Sequence, residues 1–247
     1  MIYLVHATKN IVSDLVCQSL SNISNNIKIL ESDTNVLDFP KPPSDAERII
    51  VPSTHCSESG KPCFTVHTPG NWTSADLGGN PETLPYADNP LQKTLLNNLI
   101  KNNTLGWEVT MEVNHHGPTY DVPITFIEIG SSENQWKNEQ ALQILSKTII
   151  DTSKTSLPKG VGCFGVGGPH YSPKFTRFEI GEPDFFVGHI LPSYKIDTLK
   201  YETFVQGIEK TVFKTEKVVF DWKGLKSKQR KTVINFCEEY GINYEKR

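Results

Sequence analysis

Apolar residues along this chain fall into short blocks whose spacing switches between that of a strand and that of a helix. Ile2 to His6 has the character of a strand, and Ile11, Leu15 and Val16 then share one helical face, with Thr8 placed to cap it. Ile27 to Leu30 predicts a second strand and Arg48 to Val51 a third, separated by the proline-rich loop Asp38 to Asp45. A long irregular stretch, His55 to Asn89, is interrupted by one strand, Cys63 to His67. Loops of this length inside a compact domain are functional or disordered, and Phe64, Val66 and Trp72 favour an ordered, functional one. Leu95, Leu96 and Leu99 then mark one side of a helix over Leu91 to Ile100.

The centre of the chain, Trp107 to Ser132, reads as a hairpin: a strand from Val109 to Val113, a turn, and a strand from Ile124 to Ile129. Glu133 to Thr152 is the most regular helix, with Ser132 as its cap. Beyond it the pattern predicts strands at Gly162 to Val166, Phe185 to Leu191, Lys217 to Trp222 and Ile242 to Tyr244. Between them lie helices from Ser172 or Pro173 to Phe178, from Asp197 to Ile208 and from Ser227 to Tyr240. This alternation predicts an α/β fold, a three-layer sandwich around a mixed, mostly parallel sheet. One compact domain over residues 1–247 is expected, with two interleaved subdomains as the alternative.

Composition narrows the class. At 37% apolar and 21% charged residues the chain is globular, and a net charge of −3 does not indicate a strongly basic binder of nucleic acid, so phosphate recognition would need a local patch. No window approaches the roughly 18 apolar residues that cross a bilayer, and the start, MIYLVHATKN, lacks the features of a signal peptide. Five cysteines without a CxxC argue against a disulfide framework. A cytoplasmic protein is expected, in which the glycosylation sequons at Asn22, Asn71 and Asn102 are chance matches.

Three segments repeat one layout, a strand followed by a histidine beside Gly and Pro: FTVHTPGN around His67, NHHGPT around His115 and His116, and VGGPH ending at His170. They hold four of the seven histidines, and turns at the carboxyl ends of α/β strands line ligand crevices. Imidazole suits both zinc ligation and acid–base work near neutral pH, and Glu112, Asp121 and Glu128 lie nearby in sequence. On an extended chain His115 and His116 would point to opposite faces, so only one would meet the crevice unless the backbone kinks. A second cluster of His55, Cys56, Cys63 and His67 fits no standard finger spacing. The GxGxxG of Gly160 to Gly165 lies within a strand, not between strand and helix, which excludes a dinucleotide fold. Free amides at Gly167-Gly168 and Gly130-Ser131 would suit an oxyanion. Lys223, Lys226, Lys228, Arg230 and Lys231 put five positive charges within ten residues at a strand-to-helix junction, and Lys174 and Arg177 extend this landing place for a polyanion.

In combination, STHCSESGKPCFTVHTPGNW, EVNHHGPT followed by FIEIGSSENQW, and GVGGPHYSPKF resemble the archaeal and plant type of D-aminoacyl-tRNA deacylase, including the archaeal D-tyrosyl-tRNA deacylase. The resemblance implies hydrolysis of the ester between a D-amino acid and the terminal ribose of tRNA. It also implies a fold related to peptidyl-tRNA hydrolases, zinc as cofactor, and tRNA as partner with no membrane. We expect a monomer in which His115 or His116 activates water or binds zinc, with His67 and His170 completing the pocket as further candidate ligands. Glu128 would orient a histidine or join the metal, and Gly117 or Gly167-Gly168 would hold the oxyanion. Thr119 and Ser131 would contact the aminoacyl or adenosyl group, and Pro118 would help exclude the L side chain. The rival readings are a metal-dependent hydrolase of a small ester or amide without RNA, and a non-catalytic tRNA-binding module.

Overall fold

A computed structural model describes residues 1–20 and 27–247; the sequon at Asn22 lies outside them. The chain begins β1 (Ile2–Ala7), α1 (Ile11–Ser19), β2 (Ile27–Ser32), β3 (Arg48–Cys56), β4 (Cys63–His67), α2 (Asn89–Asn102). It continues through β5 (Glu108–Met111), β6 (Ile124–Ser131), α3 (Glu133–Trp136), α4 (Glu139–Lys154) and β7 (Val161–Val166). α5 (Pro173–Gly181), β8 (Phe185–Leu191), α6 (Tyr201–Glu209), β9 (Thr215–Phe220), α7 (Ser227–Tyr240) and β10 (Asn243–Lys246) complete it.

The α/β reading holds, with the strands divided between two sheets. Six strands take the order β2-β1-β3-β6-β4-β5, parallel except where β4 meets β6, and the other four form a parallel sheet, β10-β9-β7-β8. The expected central hairpin does not form. β4 inserts between β5 and β6, so the two halves of Trp107 to Ser132 are not neighbours. α2 is buried on nearly every side: Leu91, Leu95 and Leu99 pack under the first sheet with α1 and α4, while Leu96 packs with Met111, Phe175 and Val187 beneath the second.

Local capping explains the other departures. Asn10, not Thr8, caps α1, its Oδ1 accepting from the Ser13 amide. The helix expected from Glu133 to Thr152 is interrupted because Asn138 starts a new one, accepting from Ala141 N. A 3-10 turn over Ser193–Thr198 replaces the start of the helix expected at Asp197. The sequons at Asn71 and Asn102 carry buried side chains whose amides already bond, Asn71 to the carbonyls of Gly78 and Asn80 and Asn102 to Thr148 and Asp151, which leaves no room for a glycan. Among the described residues no helix is long and apolar enough to cross a membrane.

Candidate active site

One face of the first sheet changes character along its strands. Ile49 and Val51 of β3 and Ile124 and Phe126 of β6 share an apolar cluster with Phe39. Because alternate residues of a strand share a face, the same rows continue as Ser53 and His55, and as Glu128. Pairing sets Glu128 between Ser53 and Thr65, and His67 opposite Phe126. The face that begins as core thus ends in imidazole and carboxylate. Gly130 is required by this crowding, since a Cβ there would lie 2.9 Å from the His55 ring.

Beyond β5 the chain adds the rest. Glu112 N donates to Val66 O, Val113 N to His170 O and Ser172 N to Met111 O, so the segment after β5 is held between the His67 strand and the His170 turn. His116 adopts φ +47°, a left-handed conformation uncommon outside glycine. That kink brings the two adjacent imidazoles together, with ring centroids 4.3 Å apart. Both side chains therefore face the crevice, where an extended backbone would have turned one away.

Five histidines and two glutamates converge. His67 Nε2 lies 3.2 Å from His116 Nε2, and the His67 ring stacks on His115 at 4.5 Å. Glu112 Oε1 lies 3.1 Å from His55 Nδ1, while its Oε2 lies 2.9 Å from His170 Nε2 and 3.5 Å from His115 Nε2. Glu128 approaches His55 Nδ1 at 3.5 Å and accepts from Thr65 Oγ1. Tyr171 OH meets His55 Nε2 at 2.7 Å.

Burial sets the protonation states. It depresses His115 to about 4 and His116 to about 3, so both are neutral imidazoles at neutral pH. His67, fully enclosed, is lowered well below its usual value for the same reason. At His55 burial also disfavours charge, but the carboxylates of Glu112 and Glu128 outweigh it and raise the imidazole to about 12. Burial alone would raise Glu112; His170 and His55 overcome it and hold the carboxyl well below the carboxylate range. Glu128 is raised, by its burial first and then by the Glu112 charge beside it. The two carboxyls are thereby pushed in opposite directions, Glu112 down and Glu128 up, a separation that suits acid–base chemistry.

The tautomers follow from the carbonyls, which can only accept. His115 Nδ1–H donates to Val113 O, and His116 Nδ1–H donates to Gly117 O, so each presents an Nε2 lone pair to the interior. A backbone carbonyl on the far nitrogen is the usual support of a metal-ligating histidine. His67, His115 and His116 offer nitrogen atoms all within 4.8 Å of one another, and His55, Glu112 and His170 do the same with a carboxylate oxygen. Although Glu112's oxygens lie this close to ring nitrogens, neither receives a well-aimed hydrogen bond, and buried His67 Nδ1 has no partner. Buried donors drawn together around unsatisfied lone pairs fit a divalent cation with nitrogen and oxygen ligands, zinc among them.

The histidines form a wall between two depressions. A larger one of 540 Å³ runs past His55, Glu128, Trp136, Val36 and Leu37, and a smaller one of 240 Å³ past Asn71, Trp72, Asp76, Tyr194 and Lys195. His115, His116, His170 and Leu77 border both.

The other residues expected at the site have different partners. Gly117 N donates to Leu77 O and Gly167 N to Leu191 O, so neither amide is free for an oxyanion; Gly168 lies beside Asp221, its carbonyl accepting from Ser193. Thr119 Oγ1 accepts from Asn80 N, Ser131 Oγ donates to Lys61 O, and Pro118 is buried, so these three support loops. Asp121 is exposed and pairs with Lys210. Lys174 is held by Asp221 and Arg247 O, and Arg230 lies over the Trp222 ring and donates to Trp222 O, so these two are structural ties. Arg177, Lys223, Lys226, Lys228 and Lys231 are exposed.

Residues 43–245 match the family model described as D-aminoacyl-tRNA deacylase. A protein of that name from Methanococcus maripaludis strain C7 is 36% identical over 249 residues, covering 95% of this chain and 94% of its own. Those from Thermococcus onnurineus and Methanocaldococcus jannaschii are 38% and 34% identical, over 80% and 91% of this chain and 73% and 94% of theirs. A crystal structure of a conserved protein of unknown function superposes with a TM-score of 0.90 at 26% identity, covering 100% of this chain and 95% of that one.

Proposed function

The chain belongs to the D-aminoacyl-tRNA deacylase family, and on that premise we propose that it hydrolyses the ester joining a D-amino acid to the terminal ribose of tRNA, releasing both. The observation that carries the reading onto these residues is the convergence of three neutral imidazoles with the Glu112 clamp between two depressions.

Ester hydrolysis needs an activated water and a stabilised oxyanion. His115 and His116, neutral and with their Nε2 atoms turned inward, orient the water, and Glu128 is the group available to take up and return its proton. With the Gly117 and Gly167 amides engaged, positive charge for the oxyanion comes from His55, which the carboxylate of Glu112 holds protonated. Zinc would be held by His67, His115 and His116, with His55, Glu112 and His170 as a second donor set. When bound it would polarise the ester carbonyl and lower the pKa of a bound water. One chain supplies every donor, which supports a monomer, and a tRNA substrate supports a cytoplasmic location.

Matched D- and L-tyrosyl-tRNA, each assayed with and without chelator, test this. Release of tyrosine from the D form only, abolished by chelation and restored by zinc, is expected. Equal turnover of both forms would sink the chiral selectivity, indifference to chelator the metal, and no release from either the function.

A further inference from the structure

Ser193, Tyr194 and Lys195 join two features that the catalytic cluster does not use. Ser193 donates to Gly168 O on the turn that carries His170, and its own carbonyl accepts from Gln229 in the first turn of α7. Exposed Lys226, Lys228 and Lys231 surround that turn. Tyr194 and Lys195 follow at once and line the smaller depression, on the far side of the imidazoles from Trp136 and Leu37. Ser193 thus ties the basic start of α7 to the segment that borders the histidines.

Tyr194 is 52% exposed, whereas Trp72 and Trp136, the other large aromatic residues bordering the two depressions, are buried or half-buried. Tyr194 shares the lining of the smaller depression with His115, His116 and His170, so it borders the site while part of its surface stays open. Exposed aromatic rings beside lysines are how proteins hold single-stranded nucleic acid, the bases stacking and the cations meeting phosphate.

Resting on the deacylase reading, we propose that the smaller depression receives the terminal nucleoside of the tRNA, its base stacked on Tyr194 and the preceding phosphate met by Lys195. The aminoacyl group then passes the imidazoles into the larger depression, where Ile11, Val36, Leu37 and Trp136 supply apolar surface. The ester is left at His115 and His116, which border both spaces.

Two substrates test the placement: D-tyrosyl-tRNA and the ester of D-tyrosine with free adenosine, which carries no phosphate. Tyr194→Ala should lower kcat/KM on both by on the order of tenfold to a hundredfold, mainly through KM, as loss of one stacked base does. Tyr194→Phe should restore most of that loss, because stacking needs the ring and not the hydroxyl. Lys195→Ala should weaken turnover of the tRNA more than that of the nucleoside ester. A full-activity Tyr194→Ala on both substrates overturns the placement, as does a Tyr194→Phe as impaired as the alanine variant. Should the wild-type protein hydrolyse neither ester, the deacylase reading falls and takes the placement with it; activity in the wild type with an indifferent Tyr194→Ala overturns the placement alone.

Discussion

Glu112 Oε2 lies 2.9 Å from His170 Nε2, and the same fully buried carboxylate faces His55 through its other oxygen at 3.1 Å. Glu112 thus meets histidines delivered by two separate segments and also approaches a third, His115, at 3.5 Å. Glu112→Gln keeps the shape and removes the charge. We expect kcat/KM for D-tyrosyl-tRNA to fall about 100-fold, the scale of losing a group that orients metal-ligating histidines. Bound zinc, measured by elemental analysis after gel filtration, should fall in parallel. A variant with wild-type turnover and metal content would remove Glu112 from the centre of the site.

His189 provides a stability reading away from the reacting groups. Its Nε2–H donates to Lys210 O, its Nδ1 accepts from Asn114, and burial lowers it from 6.5 to about 4. The folded pKa is depressed, so as pH falls from 6.5 toward 4 the unfolded chain takes up a proton that the folded one refuses. Stability is retained above 6.5 and lost through that window, at up to about 1.4 kcal/mol per pH unit for this group. His189→Gln should flatten the dependence of the urea midpoint on pH between 6.5 and 4.5. An unchanged slope would mean that His189 is already charged in the folded protein.

The rhythm of elements was legible because periodicity reports burial, and β8 and α7 have the bounds that their apolar spacing predicts. What was hidden depended on long-range pairing. The apolar run that begins β3 covers only Arg48 to Val51, with Pro52, Ser53 and Thr54 following, yet the strand runs to Cys56 beside β6. β1 accompanies it only as far as Ile50, and a strand left open on one side tolerates a proline. His55, which the sequence pattern assigns to the start of a loop, therefore lies on a strand at the heart of the site. Glu112 escaped notice as the organising charge because nothing local sets it between His55 and His170. The three Gly/Pro histidine turns, by contrast, do assemble, and the conditional expectation that a kink would let both His115 and His116 face inward is met at His116. The oxyanion role expected of Gly117 and Gly167 fails because a free amide cannot be told from a bonded one without the partner strand.

Lys93 is a buried cation without a direct carboxylate bond. Its Nζ donates to the carbonyls of Glu179, Glu182 and Phe185 and lies 4.6 Å from the Phe186 ring, tying α2 to the start of β8. Nearby Glu179 is raised to about 8 by burial, against the pull of Lys93. Lys93→Met leaves three carbonyls short of a donor and should cost about 3 kcal/mol, read from denaturant unfolding. Above about pH 8, where Glu179 is ionised and needs the cation, adding Glu179→Gln should return part of that loss. Two losses that simply add would show the pair to be uncoupled.

Asn114 joins both halves of the histidine wall to the second sheet. Its amide nitrogen donates to Pro69 O, just past His67, and to His189 Nδ1, while its Oδ1 accepts from Ile190 N on β8. It is buried and immediately precedes His115, so these bonds fix where the left-handed turn begins. Removing them should let the paired imidazoles drift, and displacements of about 1 Å at a reacting centre can cost on the order of 100-fold in rate. Asn114→Ala is accordingly expected to lower kcat, with a smaller rise in KM because the residue also borders the smaller depression. Asn114→Asp keeps the acceptor for Ile190 N but sets a carboxylate against Pro69 O and His189 Nδ1, so its kcat should be as low as that of the alanine variant. An aspartate variant with near wild-type kcat would show that the Ile190 bond alone positions the turn, and that the bonds to Pro69 and His189 do not.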